Sequence, residues 1–525
     1  MLSNGSLHKP SLLRFGAFGR IAAAGFVSFL AQLAVGSDFR VVILFTLAIV
    51  FGLGAVHAGG GLRSTLGILN AILLGEFLLI AIALKVLLME ATDHNLYSPI
   101  TTSMVMAFGF LGLWIATAAV QRAPRPARCL MPANFSAREY LAFAIVVLLI
   151  SCGGYVLGMR PDLEGQGLQT GGILGYARTL GSFTSLAIVP TMFYAWKSGH
   201  RRFLSQPLVL LVLLFETAIG IWSTGKQGAM EPLMLYGVVA VMRFGLTSKK
   251  VWILGLLGAM FYAGLVYPYS QYVRFNGGRE GLASYRVEAM KETIWRLLTD
   301  PTFRSMVSSH IDSKTRIYWD APSLTPFSRL AMVCEADRLI SATERTQSYT
   351  AWETISWGFK LLTPRILLPN KPAFGANNYL AHIAGDAGIR DDSTQWAYGI
   401  FANLFNAFGM TGVAVGSVLT FGCFYYWLTL FFGNPVWTPK PVDSALWLLL
   451  VVASYHHVIV ETSVSNLIAS LVNPAMILLM ALLARTLARF LPRHSGHLGL
   501  QRRAMARRRH ANRAASRDAA RFVRP

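Results

Sequence analysis

Long apolar stretches recur along the chain and are separated by short polar links. A helix that crosses a bilayer needs roughly 20 mostly apolar residues, and reading the sequence at that length predicts about twelve spans. One long polar interval, from Ser270 to about Gln395, separates the ninth span from the tenth. The predicted centres are Val27, Ile49, Leu78, Phe110, Val147, Ile188, Leu213, Val238, Leu257, Val415, Leu450 and Met476.

Composition agrees with this pattern. Hydrophobic residues make up 54% of the 525 positions and charged residues only 14%, with a mean hydropathy of +0.48. A soluble globular domain carries about 25% charged residues to cover its surface. The sequence therefore excludes an ordinary soluble protein and predicts an all-α polytopic membrane protein.

Positive charge is concentrated on alternate links. Because cytoplasmic links carry an excess of lysine and arginine, these links and both termini are predicted to be cytoplasmic, and the long interval is predicted to lie outside the cytoplasm. The basic tail adds to a net charge of +22 and suits anionic lipid headgroups better than nucleic acid. The cations on the alternate links are Arg122, Arg125, Arg128, Arg138, Lys197, Arg201, Arg202, Arg243, Lys249 and Lys250.

These assignments divide the chain into four parts. Spans one to nine occupy residues 1–269, a loop or cap occupies 270–398, spans ten to twelve occupy 399–488, and a basic tail follows from 489 to 525. The loop is far longer than an ordinary connection, and its many aromatic residues argue for order. Trp352, Ile355, Phe359 and Leu362 recur at helical spacing and predict an amphipathic helix in a partly helical cap.

Several cations stand on the side of this loop. Lys226 lies between two glycines in "WSTGKQGAMEP", and two arginines follow the ninth span in "YPYSQYVRFNGGREG". Guanidinium groups bind phosphate oxygens bidentately, although such residues also serve as interfacial anchors. Prolines in "LLTPRILLPNKP" restrict the backbone around two further cations. The six predicted substrate-binding cations are Lys226, Arg274, Arg279, Arg329, Arg365 and Lys371.

The layout resembles the bacterial O-antigen polymerases (Wzy type) and the related O-antigen ligases. The likeness rests on the arrangement of spans and on "TGKQG", "PRILLPNKP" and "AYGIFANLFNAFGMTG". It implies a GT-C-like membrane glycosyltransferase that joins undecaprenyl-diphosphate-linked oligosaccharides at the periplasmic face of the inner membrane. It also implies a chain-length regulator as a partner, and no cofactor or metal.

Two departures from the family pattern affect this interpretation. Lys226 stands where arginine is usual, and Asp391, Asp392, Ser393 and Thr394 replace the His-Asn pair of many ligases. The second departure favours a polymerase over a ligase and leaves the general base open.

The resemblance assigns roles to the polar residues. Fixed cations would stabilise the diphosphate as it leaves, and a carboxylate or histidine would deprotonate the acceptor sugar hydroxyl. The candidates for this general base are, in order, Asp392, Glu335, Asp337 and His382. Asp392 also suits a simple helix cap before the tenth span.

A transporter or flippase for lipid-linked glycans is the main alternative. Ionisable residues in membrane helices often mark transport paths. Six such residues lie in or near predicted spans: Glu76, Lys85, Glu216, His456, His457 and Glu461. The sequence shows no internal repeat of the kind common in transporters. A long loop with cations on one side favours chemistry at one membrane face.

The predicted topology is directly testable. An alkaline phosphatase reporter fused between Ser305 and Thr350 should be active because that segment lies in the periplasm. A fusion after Arg493 should be inactive, while a cytoplasmic reporter at the same site should fluoresce. Inactive alkaline phosphatase in the first segment together with active alkaline phosphatase after Arg493 would overturn the predicted orientation and the assignment of function to the loop side.

Overall fold

A computed structural model describes residues 15–124, 129–132, 134–158, 184–199, 202–222, 226–245, 248–275, 283–312, 318–363, 367–368, 376–388, 396–433, 443–461 and 463–491. Within these ranges the regular structure is entirely helical and no strand occurs. The all-α prediction is confirmed for this part of the chain.

The described part of the chain contains seventeen helices, numbered here in chain order. Each of the twelve predicted span centres lies within a helix. The helices are α1 Phe15–Ala34, α2 Phe39–Ala58, α3 Thr65–Leu87, α4 Pro99–Arg122, α5 Ala137–Gly158, α6 Ile188–Lys197, α7 Pro207–Trp222, α8 Lys226–Phe244, α9 249–275, α10 Ala283–Thr299, α11 Pro301–Asp312, α12 Met332–Thr346, α13 Glu353–Leu362, α14 Ala376–Ala384, α15 Ile400–Phe432, α16 Asp443–Glu461 and α17 Val464–Ala488.

Six of the described helices are long and apolar enough to cross a membrane. They are α2, α3, α4, α15, α17 and residues Lys249–Val273 of α9. Others are apolar but shorter, such as the 16 residues of α7, which rise only about 24 Å against a hydrocarbon core of about 30 Å. The coordinates thus support a membrane protein, and the twelve-span arrangement stays a prediction.

A buried polar network joins four membrane helices. The side-chain amide of Asn70 on α3 donates to Ala55 O on α2 at 3.0 Å and to Thr117 Oγ1 on α4 at 3.1 Å. Tyr425 Oη on α15 donates to Asn70 Oδ1 at 2.6 Å. Such bonds join helices within lipid, where water does not compete for the polar groups.

Helix α15 is broken and folds back on itself. Phe408 and Gly409 have non-helical backbone angles, and Gly409 has φ +64°. A Cβ on Gly412 would lie 2.4 Å from Leu404 O, and one on Gly416 would lie 2.8 Å from Leu404 Cδ2. In a straight helix, residues eight apart are separated by about 12 Å of rise. The first part, residues 400–408, is therefore a short half-helix packed against the second part, 409–432.

The segment before α13 satisfies the backbone at this break. The N–H groups of Thr350 and Ala351 donate to Asn406 O and Ala407 O, each at 3.0 Å. Because the helix breaks here, these carbonyl oxygens do not accept the usual hydrogen bonds from N–H groups four residues later. The Asn406 side chain donates to Thr343 Oγ1 on α12 and accepts from Thr350 Oγ1, at 2.8 and 2.9 Å. The break in α15 is thus stabilised by hydrogen bonds from α12 and from the segment between α12 and α13.

Helix α12 inserts between the membrane helices at the end where α4 begins. Residues 332–337 are all buried, and Asp337 is 0% exposed. Its carboxylate accepts from Tyr97 N at 2.6 Å, Ser98 N at 3.0 Å and Thr102 Oγ1 at 2.8 Å. Asp337 therefore serves as the N-terminal cap of α4, where a negative charge also suits the helix dipole. We call the side of the bundle that carries α12 the loop face.

A second contact fixes the long loop to the end of α3. Lys85 is fully buried, its Nζ lies 2.7 Å from Glu90 Oε2 as an ion pair, and it lies over the Tyr318 ring at 4.8 Å. Glu90 also accepts from Asp320 N at 3.0 Å. A hydrogen bond from Asn95 lowers the pKa of Asp320, which therefore remains ionised in this contact.

The Lys85–Glu90 pair yields a stability prediction. Glu90→Gln should lower the free energy of unfolding by about 3 kcal/mol, because removing one partner leaves a buried charge uncompensated. The double variant Lys85→Met/Glu90→Gln should recover most of this loss. The measurement is the thermal unfolding midpoint in detergent, with the exposed Glu292→Gln as control. Equal midpoints for Glu90→Gln and Glu292→Gln would contradict the prediction.

Candidate functional site

A cluster of charged and aromatic side chains lies at the loop face, between α12, the end of α14 and the segment before α15. Arg338 on α12 forms an ion pair with Asp386 and lies with Nη1 3.7 Å from Glu335 Oε2. Trp396 Nε1 donates to the same Glu335 oxygen at 2.6 Å. Tyr398 Oη donates to Asp386 Oδ2 at 2.6 Å. We refer to these five residues as the Glu335–Asp386 cluster.

The local sequence explains how these side chains meet. Glu335 and Arg338 are three residues apart on α12, a spacing that puts them on one face of a helix. Asp386 follows α14 immediately after Gly385, whose φ of +79° ends that helix. Trp396 and Tyr398 lie two residues apart in extended chain before α15. The Arg338 guanidinium also stacks on the Trp396 ring, with Cζ 5.0 Å from the ring centroid.

The two carboxylates of the cluster differ in how many of their oxygens are engaged in hydrogen bonds or ion pairs. Both oxygens of Asp386 are engaged, one by Arg338 and one by Tyr398, and its side chain is 4% exposed. Both contacts to Glu335 use Oε2, and Oε1 has no hydrogen bond to any residue that the structure describes. Asp386 therefore positions Arg338, whereas Glu335 presents an oxygen that can accept a proton.

Tyr398 stays a hydrogen-bond donor in this setting. Burial raises the pKa of its phenol well above the ordinary value, Glu335 raises it further, and Arg338 acts in the opposite direction. The neutral phenol therefore keeps its proton at any physiological pH and continues to hold Asp386.

A pair of acids lies beside the same segment of chain. Glu76, in a π-helical turn of α3, is within electrostatic range of Glu461 at the end of α16. Gly399, directly after Tyr398 and Ala397, packs against the Phe77 ring and Val460 O. π-Helical turns are frequent at functional sites. The acid pair thus adjoins the segment that carries Trp396 and Tyr398.

A third polar group lies deeper in the bundle. Glu216 on α7 is 1% exposed and accepts from Ile188 N at 3.1 Å. It is within electrostatic range of Glu231 on α8, which is in turn within range of His456 on α16. Five of the ionisable residues named for the transport alternative thus interact with other ionisable groups, namely Glu76, Lys85, Glu216, His456 and Glu461.

Of the four predicted general bases, the structure places Glu335 in the cluster and two others elsewhere. Glu335 belongs to the cluster. Asp337, its neighbour by two residues, points to the start of α4 and caps it. His382 lies in α14, partly buried, one turn before Asp386. Asp392 lies outside the described residues. Glu335 is therefore the predicted base whose surroundings best suit proton transfer.

The predicted cations fall largely beyond what the structure describes. Arg279, Arg365 and Lys371 lie outside the described residues. For Lys226, Arg274 and Arg329 the backbone is helical, at the start of α8, at the end of α9 and in the 3-10 turn Pro322–Leu330, while their side chains lie outside the described part. Their diphosphate role stays a prediction.

The "TGKQG" turn has a packing function in addition. A Cβ on Gly220 of α7 would lie 2.2 Å from Gly228 C on α8. The two backbones therefore touch where α7 and α8 meet, three residues from Gly225 in the sequence. The close packing of the two helices therefore requires glycine at position 220, and the end of the "TGKQG" motif lies at this helix contact.

Four members of the cluster were absent from the sequence prediction: Arg338, Asp386, Trp396 and Tyr398. The Glu335 to Arg338 spacing was a usable signal for one of them. Asp386 lies 48 residues after Arg338, and no local pattern links the two.

The chain matches no family model, no curated protein and no solved structure. The resemblance to O-antigen polymerases therefore carries no more weight than the motifs on which it rests.

Asp337 yields a prediction that separates structure from catalysis. Asp337→Ala should lower the free energy of unfolding by about 3 kcal/mol, because it leaves the buried Thr102 hydroxyl and the N–H groups of Tyr97 and Ser98 without this acceptor. The thermal midpoint in detergent measures this. Glu344→Ala, at an exposed position on the same helix whose carboxylate accepts an exposed hydrogen bond from Thr101, should change the midpoint little. A normal midpoint for Asp337→Ala combined with lost activity would return this residue to the list of bases.

Proposed function

We propose that this protein is a membrane glycosyltransferase that polymerises undecaprenyl-diphosphate-linked repeat units into a surface polysaccharide at the periplasmic face. The observation that carries the proposal is the Glu335–Asp386 cluster. It offers one proton-accepting carboxylate oxygen, held in place by Trp396 and Arg338, at the face where the long loop lies. A GT-C-like arrangement of about twelve spans, with both termini in the cytoplasm of a bacterial inner membrane, forms part of the same proposal.

The reaction needs a base and an electrostatic partner for the leaving group. Glu335 accepts the proton of an acceptor sugar hydroxyl, whose oxygen forms a bond to the anomeric carbon of the donor. The bond between that carbon and the diphosphate breaks, and its electron pair leaves with the diphosphate. Fixed cations stabilise the developing charge, and Lys226, Arg274, Arg279, Arg329, Arg365 and Lys371 are the proposed set. No metal or cofactor enters this scheme.

Chain packing favours a site near the start of α15. The described residues of α13, which end at Leu362, lead along the chain to the proline-rich segment with Arg365 and Lys371. Trp352, the residue before α13, adjoins the break in α15, because its ring centroid lies 5.1 Å from that of Phe408. Two of the six predicted cations, Arg365 and Lys371, are thus connected in sequence to the helix that starts at this break.

Transport of a lipid-linked glycan is the second candidate. The buried groups Glu216, Glu231 and His456 favour it, because ionisable residues inside membrane bundles often line transport paths. An O-antigen ligase is a third candidate and would use the same chemistry with a different acceptor. A chain-length regulator remains the proposed protein partner of a polymerase.

The base assignment predicts a loss of polymer. Glu335→Gln should reduce polymerisation by roughly 100-fold or more, because the amide cannot accept a proton at neutral pH. Lys226→Ala and Arg274→Ala should have comparable effects through the leaving group. The readout is the polysaccharide ladder on a gel, in cells that lack the chromosomal copy, at matched protein level. Glu344→Gln, on the same helix and exposed, is the control and should give a full ladder.

The pattern of products separates the three functions. A polymerase variant leaves single repeat units that still reach the cell surface. A flippase variant retains repeat units inside the cell, and a ligase variant accumulates long polymer on the lipid carrier. Either of the last two patterns for Glu335→Gln, or a normal ladder, would reject the polymerase.

A further inference from the structure

A long apolar groove runs down the second part of α15. It has a volume of ≈ 1200 Å³ and three walls. One wall includes Trp352, directly before α13, and Ile355 and Phe359 of α13, three members of the helical stripe predicted from the sequence. Val464, Leu467, Ile468 and Leu471 of α17 form an adjoining wall, since α13 packs against Ser465 and Ile468 through Gly358.

The groove opens toward the bilayer. Val415 and Leu419 line it and are 54% and 61% exposed, and Cys423 farther along the helix is also exposed. Position 412 is glycine because Leu404 O occupies the space of a side chain, and this keeps the groove floor flat. The lining residues on α15 extend from Leu404 to Trp427.

The length of the groove limits what fills it. Gly409 to Trp427 corresponds to about 27 Å of helix at 1.5 Å per residue, close to the full hydrocarbon thickness of about 30 Å. A phospholipid acyl chain covers only half of that thickness, about 15 Å. A single chain that fills the groove must therefore be much longer than the acyl chain of a membrane phospholipid.

The loop-face end of the groove lies near the proposed catalytic base. Tyr349, Trp352 and Phe408 line that end, and the Asn406–Thr343 hydrogen bond lies directly beside it. Thr343 and Glu335 are on the same helix, eight residues apart, which corresponds to about 12 Å of rise. A head group at the mouth of the groove is thus one or two sugars away from Glu335.

We propose that this groove binds the polyprenyl chain of a lipid-linked substrate, with the phosphate head group at the end near Trp352. This inference rests on the proposed function for the identity of the lipid. The chain lies along α15 from Gly409 toward Trp427, and α13 covers its first part. Bilayer phospholipid is the competing occupant.

Substitutions at two depths test the proposal with the purified full-length protein. Val415 is about 9 Å and Cys423 about 21 Å of helix beyond Gly409, so Val415→Trp obstructs any chain and Cys423→Trp only a chain longer than one leaflet. The probes are undecaprenyl phosphate, the much shorter farnesyl phosphate and dioleoyl phosphatidic acid. Native mass spectrometry in detergent measures their dissociation constants. Tyr426→Trp, on the same helix, exposed and outside the groove, is the matched control.

Cys423→Trp should weaken undecaprenyl phosphate about tenfold, which corresponds to about 1.4 kcal/mol, and leave farnesyl phosphate and phosphatidic acid unchanged. Val415→Trp should weaken all three, and Tyr426→Trp none. Unchanged binding of undecaprenyl phosphate to Cys423→Trp would overturn the proposal. Equal affinity of the wild-type protein for phosphatidic acid and undecaprenyl phosphate would overturn it as well. If Cys423→Trp fails to fold, Cys423→Phe replaces it at the same depth.

This test is separable from the test of catalysis. Glu335→Gln should bind undecaprenyl phosphate as tightly as the wild-type protein, since Glu335 lies outside the groove. A normal ladder from Glu335→Gln together with depth-dependent binding would retain the groove and reject the polymerase. A lost ladder together with unchanged binding to Cys423→Trp would reject the groove alone.

Discussion

The hydrogen bonds between Asp337 and the first turn of α4 hold the loop-face half of the molecule in place. A fully buried carboxylate needs hydrogen-bond donors for its oxygens. The N–H groups at the start of a helix have no partner within the helix and can serve as such donors. This contact fixes the position of α12 on the bundle. Once α12 is fixed, Glu335 and Arg338 face the segment before α15, and Thr343 reaches the break in α15. One capping interaction therefore positions both the cluster and the mouth of the groove.

The features that the sequence could predict are those determined by neighbouring residues in the chain. The apolar stretches predicted helices at all twelve centres, because a lipid environment requires continuous apolar length. The stripe through Trp352, Ile355 and Phe359 predicted α13 and its apolar contacts, because helical period is a local property. The six long spans follow from the same rule. How many of the shorter helices cross the bilayer depends on tilt and packing, which hydropathy does not specify.

The site was less accessible to sequence reasoning, for a physical reason. The partners of Asp337 lie 235 to 240 residues earlier in the chain, so the sequence around Asp337 gives no sign that it is a cap rather than a base. The position of Arg338 on the same helical face as Glu335 can be read from the sequence. Its orientation in the cluster depends on Asp386 and Trp396, which belong to a distant segment of the chain. Likewise, the fold-back of α15 depends on Thr350 and Ala351 supplying donors to the broken helix. Glycine at 409 permits the break but does not by itself predict it.

In the proposed reaction, the charge of the cluster favours binding of the two parts of the substrate at two separate places. The Glu335–Asp386 cluster contains two carboxylates and one guanidinium, so it carries no surplus of positive charge with which to hold a diphosphate. A sugar hydroxyl, which must lose a proton, suits this place far better. The diphosphate then belongs near cations at some distance from Glu335, and the mouth of the groove, about 12 Å along α12, lies at such a distance. Donor and acceptor can meet between these two places only if each is held separately, and a tail bound in the groove of α15 supplies that constraint for a lipid-linked substrate.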